Sequence, residues 1–529
     1  MSPATAMQGG PAFTLTVNGA LFTGQSVVMW GGSARTTSFV STSQLTAQIT
    51  AADIASAGSI DVTVVDGAAV SSPSTFVVTA LPPLALSGLS PSSLPAGSAD
   101  FHVAAIGTGF SSASVIAWNG TALPTTYLSS TLLRAAVSAT RVAAPGTAQI
   151  TVVNPAGQGG TSPARPLLIT PATLDAVSFQ LNPAHTGAVT FRNVALPAAT
   201  LWSVNLGGTA SYSLVVGQTV FVMASIGGNS QLFALNASTG ATTWGPVQFA
   251  GTANAAYDSG LLYVVNGSGN GVQLLTALDP ATGSARWSAS VAGSWFAQPP
   301  VAAGGLVGAL NAGVVTVLNG ATGALLWNGS FGGASGALAI TPDGIYGSAP
   351  CTTVDLLPLD GTVLWSTNTG CSGGGGDTPV VANGVVYSPI NGGYSGIAYD
   401  AETGAVVGSF STTTLPAVTA TTIYELSGGT LRALALSNNA VLWSFAGDGQ
   451  LDTAPIVVGG YVFIGSFGGN LYALDASTGQ QLWSQSFGVP INASADGSLS
   501  NYGGLAAGNG LLLVPAGNTV TAYLLSTNP

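Results

Sequence analysis

The sequence predicts an all-β protein in which two tandem β-sandwiches precede an eight-bladed β-propeller that is closed by an N-terminal D strand. Two internal repeats carry this prediction, because a sequence period of this kind marks a repeated structural unit. One period is about 88 residues, and the other is about 40 residues, the length of one four-stranded propeller blade. Both repeats alternate apolar with polar residues between turns rich in Gly, Asn and Pro, which is typical of β-strands.

The longer repeat occupies the first 171 residues. The matching segments are GGPAFTLTVNGALF at 9–22 with GSADFHVAAIGTGF at 97–110, and VVMWGG at 27–32 with VIAWNG at 115–120. Trp30 and Trp118 fall at equivalent positions, so we expect each to pack inside its own sandwich. We predict one sandwich over residues 1–82 and a second over residues 83–171.

Both copies resemble the immunoglobulin-like IPT/TIG domain, whose marks are a leading SP, a GxGxF element and a closing TVVNPxG. The resemblance implies spacer or interaction modules, and neither copy carries a catalytic motif. His102, in the second copy, is expected to be an ordinary strand residue, because no second His or Cys lies nearby to share a metal.

The shorter repeat follows the pattern AxDxxTGxxxW, and ALDASTGQQLW at 473–483 shows it in full. Asp475 and Thr478 are expected to accept and donate hydrogen bonds within a tight turn, and Gly479 to supply a positive φ angle. Each tryptophan is expected on an outer D strand, packed between blades with its indole N–H on a backbone carbonyl. The predicted tryptophans are Trp202, Trp244, Trp287, Trp327, Trp365, Trp443 and Trp483.

The two ends of the repeat array complement each other. The last unit, at 502–527, has sequence for three strands, and TLWSVNLGG at 200–208 supplies a fourth strand ahead of the first complete blade. Pairing the ends would close the ring and remove its open sheet edges. We therefore predict the propeller over residues 200–529, with a linker at 172–199 that leads into it.

The 40-residue unit resembles the tryptophan-docking repeat of quinoprotein propellers, and HTGAVTF at 185–191 resembles the segment that precedes such rings. The dehydrogenases of that family hold their quinone with a vicinal cysteine pair, an arginine and a calcium site. Here Cys351 and Cys371 are twenty positions apart, and Arg286 and Arg432, the arginines after residue 200, lie away from the axial face. We therefore predict no cofactor and no enzymatic activity.

The two cysteines are predicted to form a disulfide. Cys351 follows strand B and Cys371 follows strand D of the fourth blade, and the loops after these strands emerge on the same face of a propeller. Such a bond would close a loop of about 20 residues and stabilise the fold by about 3 kcal/mol. Two separate buried thiols are the alternative.

Other chemistry has little sequence support. His102 and His185 lie in different predicted domains, so neither a Ser/His/Asp triad nor a histidine metal cluster is expected. Asp448 and Asp452, in a DGQLD loop, are expected to cap a turn rather than to bind calcium.

Charged residues make up 5% of the chain, lysine is absent, and the net charge is −11. Nucleic-acid binding is excluded by the lack of clustered basic residues, and no apolar run approaches the roughly twenty residues of a membrane-spanning helix. The first 34 residues contain no Lys or Arg, so they lack the basic start expected of a secretory signal. Either the signal has been removed or the sequence is an excerpt of a longer precursor. The paired cysteines and the neutral, hydroxyl-rich composition nevertheless favour a secreted protein, outside the cell or on its surface.

These observations predict an extracellular, non-enzymatic structural or interaction protein: a surface scaffold, an adhesin or a matrix component. Its partners would be proteins or further copies of itself, joined into filaments by strand exchange, with polysaccharide as another candidate ligand. One alternative is a glycan-binding propeller that uses exposed aromatic side chains, namely Trp295, Phe296, Tyr394 or Tyr502. Another is a quinone- or metal-dependent oxidoreductase with an atypical site.

Overall fold

The computed structural model describes residues 1–155, 158–196, 198–267, 272–292, 297–311, 313–330, 332, 336–349, 351–370, 377–390, 395–493 and 502–527. The chain forms two compact units, Met1–Pro171 and Ala172–Pro529. The first unit holds both predicted sandwiches. The second holds the predicted ring together with the segment predicted as a linker.

The first unit consists of short strands and two single-turn 3-10 helices, Ala51–Ile54 and Ala139–Val142. The strands of the first sandwich are β1 (Thr5–Met7), β2 (Phe13–Asn18), β3 (Val27–Trp30), β4 (Ser33–Ala34), β5 (Thr37–Ser41), β6 (Gln44–Ile49), β7 (Gly58–Asp66), β8 (Ala69–Val70) and β9 (Ser74–Thr79). Those of the second are β10 (Ala85–Ser90), β11 (Ser93–Pro95), β12 (Phe101–Thr108), β13 (Val115–Trp118), β14 (Thr121–Ala122), β15 (Thr125–Ser129), β16 (Leu132–Val137), β17 (Gly146–Val153) and β18 (Arg165–Thr170).

The two sandwiches share one strand order. In the first, one sheet runs β1-β9-β7-β3-β4 and the other β2-β6-β5; in the second, the equivalent sheets run β11-β18-β17-β13-β14 and β12-β16-β15, with β10 added beside β12. Alternate residues point inward, and Trp30 and Trp118 are buried in the two cores. Trp30 packs on Phe76 with ring centroids 4.8 Å apart. The repeated segments of the sequence thus correspond to repeated strands.

The second unit contains β19 (Ala188–Val189) and, in the described residues, eight four-stranded sheets, which we number as blades 1–8 with strands A–D. Strands A to D are Thr209–Val216, Thr219–Ile226, Asn229–Asn236 and Thr242–Phe249 in blade 1; Thr252–Asp258, Leu261–Gly267, Val272–Leu278 and Ala285–Ala292 in blade 2; Val301–Ala303, Leu306–Asn311, Val314–Asn319 and Leu325–Ser330 in blade 3; Ala339–Ile340, Ile345–Ala349, Thr352–Leu356 and Val363–Asn368 in blade 4. They are Val380–Ala382, Val385–Ile390, Ser395–Asp400 and Val406–Phe410 in blade 5; Ala417–Val418, Thr422–Ser427, Thr430–Ala435 and Val441–Phe445 in blade 6; Ile456–Val458, Tyr461–Gly465, Asn470–Asp475 and Gln481–Ser486 in blade 7; Ala506–Gly508, Leu511–Ala516, Thr519–Leu524 and Ala199–Asn205 in blade 8.

Blade 8 joins the two ends of the array. Its strand D, Ala199–Asn205, lies antiparallel to its strand C, Thr519–Leu524, although more than 300 residues separate them in the chain. In strands A to C most Val, Leu and Ala side chains are almost fully buried, because neighbouring sheets cover both faces, whereas the outer D strands expose several Val and Leu side chains. The closing strand is the one that the sequence placed at 200–208.

The segment predicted as a linker is instead an integral part of the ring, and we call residues 174–196 the axial segment. Strand A is the innermost strand of a propeller blade and borders the ring axis. In the described residues, A strands or adjoining turns of seven blades donate backbone N–H groups to carbonyl oxygens of this segment, at 2.7–2.9 Å. The donors and acceptors are Val215 to Ala176, Tyr257 to Val177, Ile340 to Pro183, Val381 to Ala184, Val418 to Thr186, Val457 to Gly187 and Asn509 to Leu174.

The inner strands point backbone N–H groups toward the axis, and buried N–H groups need hydrogen-bond acceptors. The axial segment supplies them, and β19 continues the pairing as a parallel strand beside strand A of blade 7. The fully buried His185 fixes the middle of the segment: its two ring nitrogens lie 2.7 Å from the carbonyl oxygens of Phe179 and Leu338.

The predicted disulfide falls partly outside the described residues. Cys351 is buried after strand B of blade 4, with a φ angle of +63°, whereas Cys371 is not among the residues described. The Cys351–Cys371 bond therefore stays a prediction.

Candidate functional site

The most regular polar contact of the ring joins neighbouring blades. In the described residues, six D-strand tryptophans donate their indole N–H to a carbonyl in the C–D turn of the next blade. The bonds are Trp202 to Ala237 (2.8 Å), Trp244 to Pro280 (2.9 Å), Trp287 to Gly320 (2.9 Å), Trp327 to Pro358 (2.8 Å), Trp365 to Ala401 (2.9 Å) and Trp443 to Ala476 (3.0 Å). We call each such contact a tryptophan dock.

The glycine of the receiving turn is required for two reasons. Its φ angle lies between +69° and +73°, a region that costs L-residues about 1–2 kcal/mol. It also lies directly against the docked indole, so a Cβ atom there would approach ring atoms to 2.5–2.8 Å. The glycines are Gly240, Gly283, Gly323, Gly361, Gly404 and Gly479.

The aspartate of the motif holds the turn in shape. Asp475 Oδ1 accepts hydrogen bonds from the backbone and side chain of Ser477 at 3.0 and 2.6 Å, and from those of Thr478 at 2.9 and 3.0 Å. The side-chain bond from Ser477, together with the other bonds, lowers the pKa of Asp475 against the opposing effect of burial. Asn236 performs the same role in blade 1, so the role needs an acceptor rather than a charge.

Trp483 departs from this pattern. In the described residues its indole N–H has no carbonyl partner, and its ring meets the edge of Tyr523 with centroids 5.3 Å apart. The cause is the ring closure: strand D of blade 8 comes from the other end of the array, so blade 8 has no C–D turn to receive Trp483.

The contact between blades 5 and 6 also lacks a dock, and both partners are changed together. Strand D of blade 5 has Gly408 at the tryptophan position, facing Ala398 as Trp443 faces Ala433. The receiving turn of blade 6 has Asn439 at the glycine position, with a φ angle of +56°. Leu436 stands where the other turns have Ala, Pro or Gly, and it packs, as Phe410 does, against the hydrophobic cluster that includes Tyr387 and Val418. We call this contact the undocked seam.

A groove opens beside the axial segment, on the face that carries the A–B turns. It has a volume of about 610 Å³ and is bounded by Thr186–Phe191 and by the A–B turns of blades 5, 6 and 7. This volume is in the range of small-molecule sites, about 300–1,000 Å³. The groove therefore lies on the inner side of the undocked seam.

The polar groups of the groove are uncharged. The Asn383 side chain donates to the Thr419 carbonyl at 2.7 Å, which ties the turns of blades 5 and 6 together. The Thr186 hydroxyl accepts from Asn182 Nδ2 at 2.6 Å, so its own proton can be donated elsewhere. Tyr424 donates its hydroxyl to the Ala476 carbonyl at 3.2 Å, and burial raises its pKa. In the described lining there is no Asp, Glu, Lys, Arg or His.

The parts of a quinone site do not fit the described residues. Arg286 forms an ion pair with Asp279 on the outer rim of blade 2. Arg432 pairs with Glu425 on adjacent strands within blade 6, where burial raises the pKa of Glu425. Neither arginine reaches the axis, which the axial segment occupies.

The described ranges contain no group of three or more His, Cys, Asp and Glu side chains placed to hold a metal ion. Asp448 Oδ2 accepts from Ser466 at 2.6 Å and from Asn470 at 2.7 Å, and its Oδ1 accepts from the Gln450 backbone at 3.0 Å. Burial alone would raise the pKa of Asp448, but these bonds lower it. Asp448 thus has the turn-capping geometry expected from the sequence.

The exposed-aromatic hypothesis fails for Tyr502, which is 1% exposed and hydrogen-bonded to Gln298. It packs against Phe179 of the axial segment with centroids 5.2 Å apart, so no sugar could stack on it. Trp295, Phe296 and Tyr394 lie outside the described residues. The groove was not predicted, because its polar side chains come from three separate segments, the axial segment and the A–B hairpins of blades 5 and 6, and share no sequence motif.

A family profile described as outer membrane protein assembly factor BamB matches residues 245–345, 311–427, 351–486 and 427–526, which together cover more than half of the chain. The chain belongs to this BamB-like family. Residues 1–78 match the IPT/TIG domain. The propeller resemblance is therefore confirmed, and the IPT/TIG resemblance is confirmed for the first sandwich. None of the curated proteins matches the chain.

Two solved structures with TM-scores above 0.5 share the fold at low sequence identity. The quinohemoprotein alcohol dehydrogenase of Comamonas testosteroni is 14% identical with a TM-score of 0.53, covering 67% of this chain and 82% of its own. The computationally designed Ika8 protein is 15% identical with a TM-score of 0.51, covering 61% and 99%. BamB of Moraxella catarrhalis is 18% identical with a TM-score of 0.48, covering 63% and 99%. Over the described part of this chain, no helix is both long enough and apolar enough to cross a membrane.

We predict that a dock can be restored at the undocked seam by the triple substitution Gly408→Trp, Leu436→Ala and Asn439→Gly. Burying an indole should raise the free energy of unfolding by about 2 kcal/mol. Gly408→Trp alone should lower it, because the new ring would meet the Asn439 Cβ and the Leu436 side chain. Denaturant midpoints of the two variants check this. Equal stability of the single and triple variants would contradict the dock geometry.

Proposed function

We propose that this chain is an extracellular, non-enzymatic structural or interaction protein whose ring is a rigid platform for partners. The observation that carries this proposal is the axial segment. It accepts backbone hydrogen bonds from seven blades in the described residues, so the axis is filled by the protein's own chain. A dehydrogenase of the quinoprotein type needs that region for its cofactor.

The charged side chains support the same proposal. Catalytic acids and bases usually have perturbed pKa values in a cleft. Here the buried Glu425 is paired with Arg432 inside a blade, and Asp475 and Asp448 are engaged within turns. These three carboxylates stabilise turns or pair with an arginine within a blade, and none of them lines the groove.

The relatives point in two directions. The family description names a protein assembly factor, which acts through partners, whereas the alcohol dehydrogenase with the same fold is an enzyme. Because fold alone does not imply function, the residues of this chain have to decide. Arg286 and Arg432 are not placed to bind a quinone, and the axial segment occupies the ring axis. Both observations favour the partner-binding role.

The composition supports an extracellular location. A chain with no lysine and 5% charged residues must cover its surface with neutral hydroxyl and amide groups. The predicted Cys351–Cys371 disulfide would need an oxidising compartment to form.

The enzyme alternative is tested by loading the full chain with pyrroloquinoline quinone and Ca²⁺, then removing free quinone by gel filtration. We expect no retained quinone absorbance and no dye-linked oxidation of ethanol, because the axis is filled. Retention of one quinone per chain, with reduction of the dye, would overturn the proposal.

Self-association through sandwich edges is the second part of the proposal. Strands β5 and β15 are sheet edges, contain no charged residue and expose Phe39 and Leu128. Natural sheet edges are commonly protected by lysine or other charges. An unprotected edge can accept a strand from another copy.

We expect sedimentation velocity to show association that grows with protein concentration and is lost in the double variant Phe39→Lys, Leu128→Lys. The matched control is Val77→Lys, Leu168→Lys, whose side chains are similarly exposed but lie on the interior strands β9 and β18. The control should still associate. A monodisperse wild-type monomer at high concentration would rule out assembly.

A further inference from the structure

We infer that the groove between the axial segment and the A–B turns of blades 5–7 binds a neutral oligosaccharide. The inference rests on the proposed function, because it names a ligand class for a non-enzymatic platform. Three features of the groove support it. Its polar groups are hydroxyls and amides, its described lining carries no charge, and the adjoining sheet edges are already paired with the axial segment.

The polar groups suit a polyhydroxylated ligand. The Thr190 hydroxyl is exposed and can both donate and accept, while Thr186 keeps its hydroxyl proton for donation. Asn383 keeps its carbonyl oxygen as an acceptor after its amide has bonded to the Thr419 carbonyl. The Thr419 hydroxyl is already used within its own turn, where it donates to the Thr422 carbonyl and accepts from the Thr422 N–H. Sugar hydroxyls likewise donate and accept, so each can find a partner. The Thr186 oxygen is oriented by Asn182, which fixes the direction of its remaining proton.

The remaining walls are apolar. Val189, which is partly exposed, lines the groove beside the hydroxyls and can pack against the C–H groups of a pyranose ring. Val418 and Val457 also line the groove, but they are buried. Because the described lining has no ionisable side chain other than Tyr424, a charged ligand would lose its hydration without gaining an opposite charge. An uncharged saccharide is therefore favoured over a nucleotide, a sulfated glycan or an acidic peptide.

An extended peptide is disfavoured for a separate reason. Peptides that bind as an added strand need a free sheet edge. At this groove the inner edge of blade 7 is paired with β19, and Val418 of blade 6 donates to Thr186. The chain itself occupies these edges, which leaves recognition to side-chain hydroxyls.

The test titrates the full chain with maltohexaose, cellohexaose and laminarihexaose, with a neutral Ser/Thr-rich hexapeptide and trigalacturonate as comparison probes. Binding is followed by saturation-transfer NMR and calorimetry. We expect at least one neutral hexasaccharide to bind saturably and the two comparison probes not to bind.

The variant Ala420→Trp places a large side chain in the groove from an exposed turn position and should weaken binding at least tenfold. Gln218→Trp is the matched control, because Gln218 is exposed in the A–B turn of blade 1, away from the groove. Thr190→Val, which removes one exposed hydroxyl, should weaken binding several-fold.

Three results would overturn the inference: none of the three hexasaccharides binds, only the peptide or trigalacturonate binds, or Ala420→Trp binds as tightly as Gln218→Trp. None of them bears on the proposed function, which is tested separately by quinone retention with dye reduction and by sedimentation velocity. The two proposals can therefore fail separately.

Discussion

The ring depends on one repeated interaction, in which a tryptophan indole N–H donates to a backbone carbonyl in the turn of the next blade. The ring of the indole packs directly against the glycine of that turn, where a Cβ atom would not fit. Each half of the dock requires the other. The carbonyl is correctly placed because an Asp or Asn side chain shapes the turn, as Asp475 does. The indole can approach because Gly479 has no side chain that would contact the Trp443 ring. A blade cannot bury the inner part of its outer strand alone, so the docks turn separate sheets into one closed structure. At the undocked seam the tryptophan is replaced by Gly408, and the receiving turn has Leu436 and Asn439 in place of its small residue and its glycine. Where the indole is missing, the turn features that receive it are missing too.

The second constraint acts at the axis. Eight inner strands meeting around a channel would leave backbone donors facing an apolar, narrow space, and such donors are costly when unpaired. The axial segment relieves this by running past the blades and accepting a bond from nearly every one. The groove lies between this segment and the A–B turns of blades 5 to 7, beside the undocked seam of blades 5 and 6. The axial segment and the uncharged groove are the two features on which we base the proposal that recognition occurs on the face of the ring.

Much of this architecture could be predicted from the sequence, and the reason is periodicity. The Asp, Thr, Gly and Trp of the short repeat recur at fixed spacing, so the strands, the turns and the closing strand at 200–208 could all be located. The role of residues 174–196 could not, because this segment bonds through backbone carbonyls, which any residue provides. Trp483 was expected to dock like the others, but its partner turn is missing where the chain closes. Likewise the groove assembles Thr186, Asn383 and Thr419 from distant segments, and no local pattern marks it.

The turn glycine is needed so that the indole can pack closely, and not only because its φ angle is positive. Two alanine substitutions separate these effects. Gly384 has the same φ angle as Gly479, +73°, but a Cβ atom added at Gly384 would meet no atom within 4 Å, whereas one added at Gly479 would lie 2.5 Å from the Trp443 ring. Gly384→Ala should cost about 1 kcal/mol of unfolding free energy, the strain of the left-handed conformation. Gly479→Ala should cost about 2 kcal/mol more through overpacking, and this excess should vanish in a Trp443→Ala background. Equal losses for the two alanines would contradict the account.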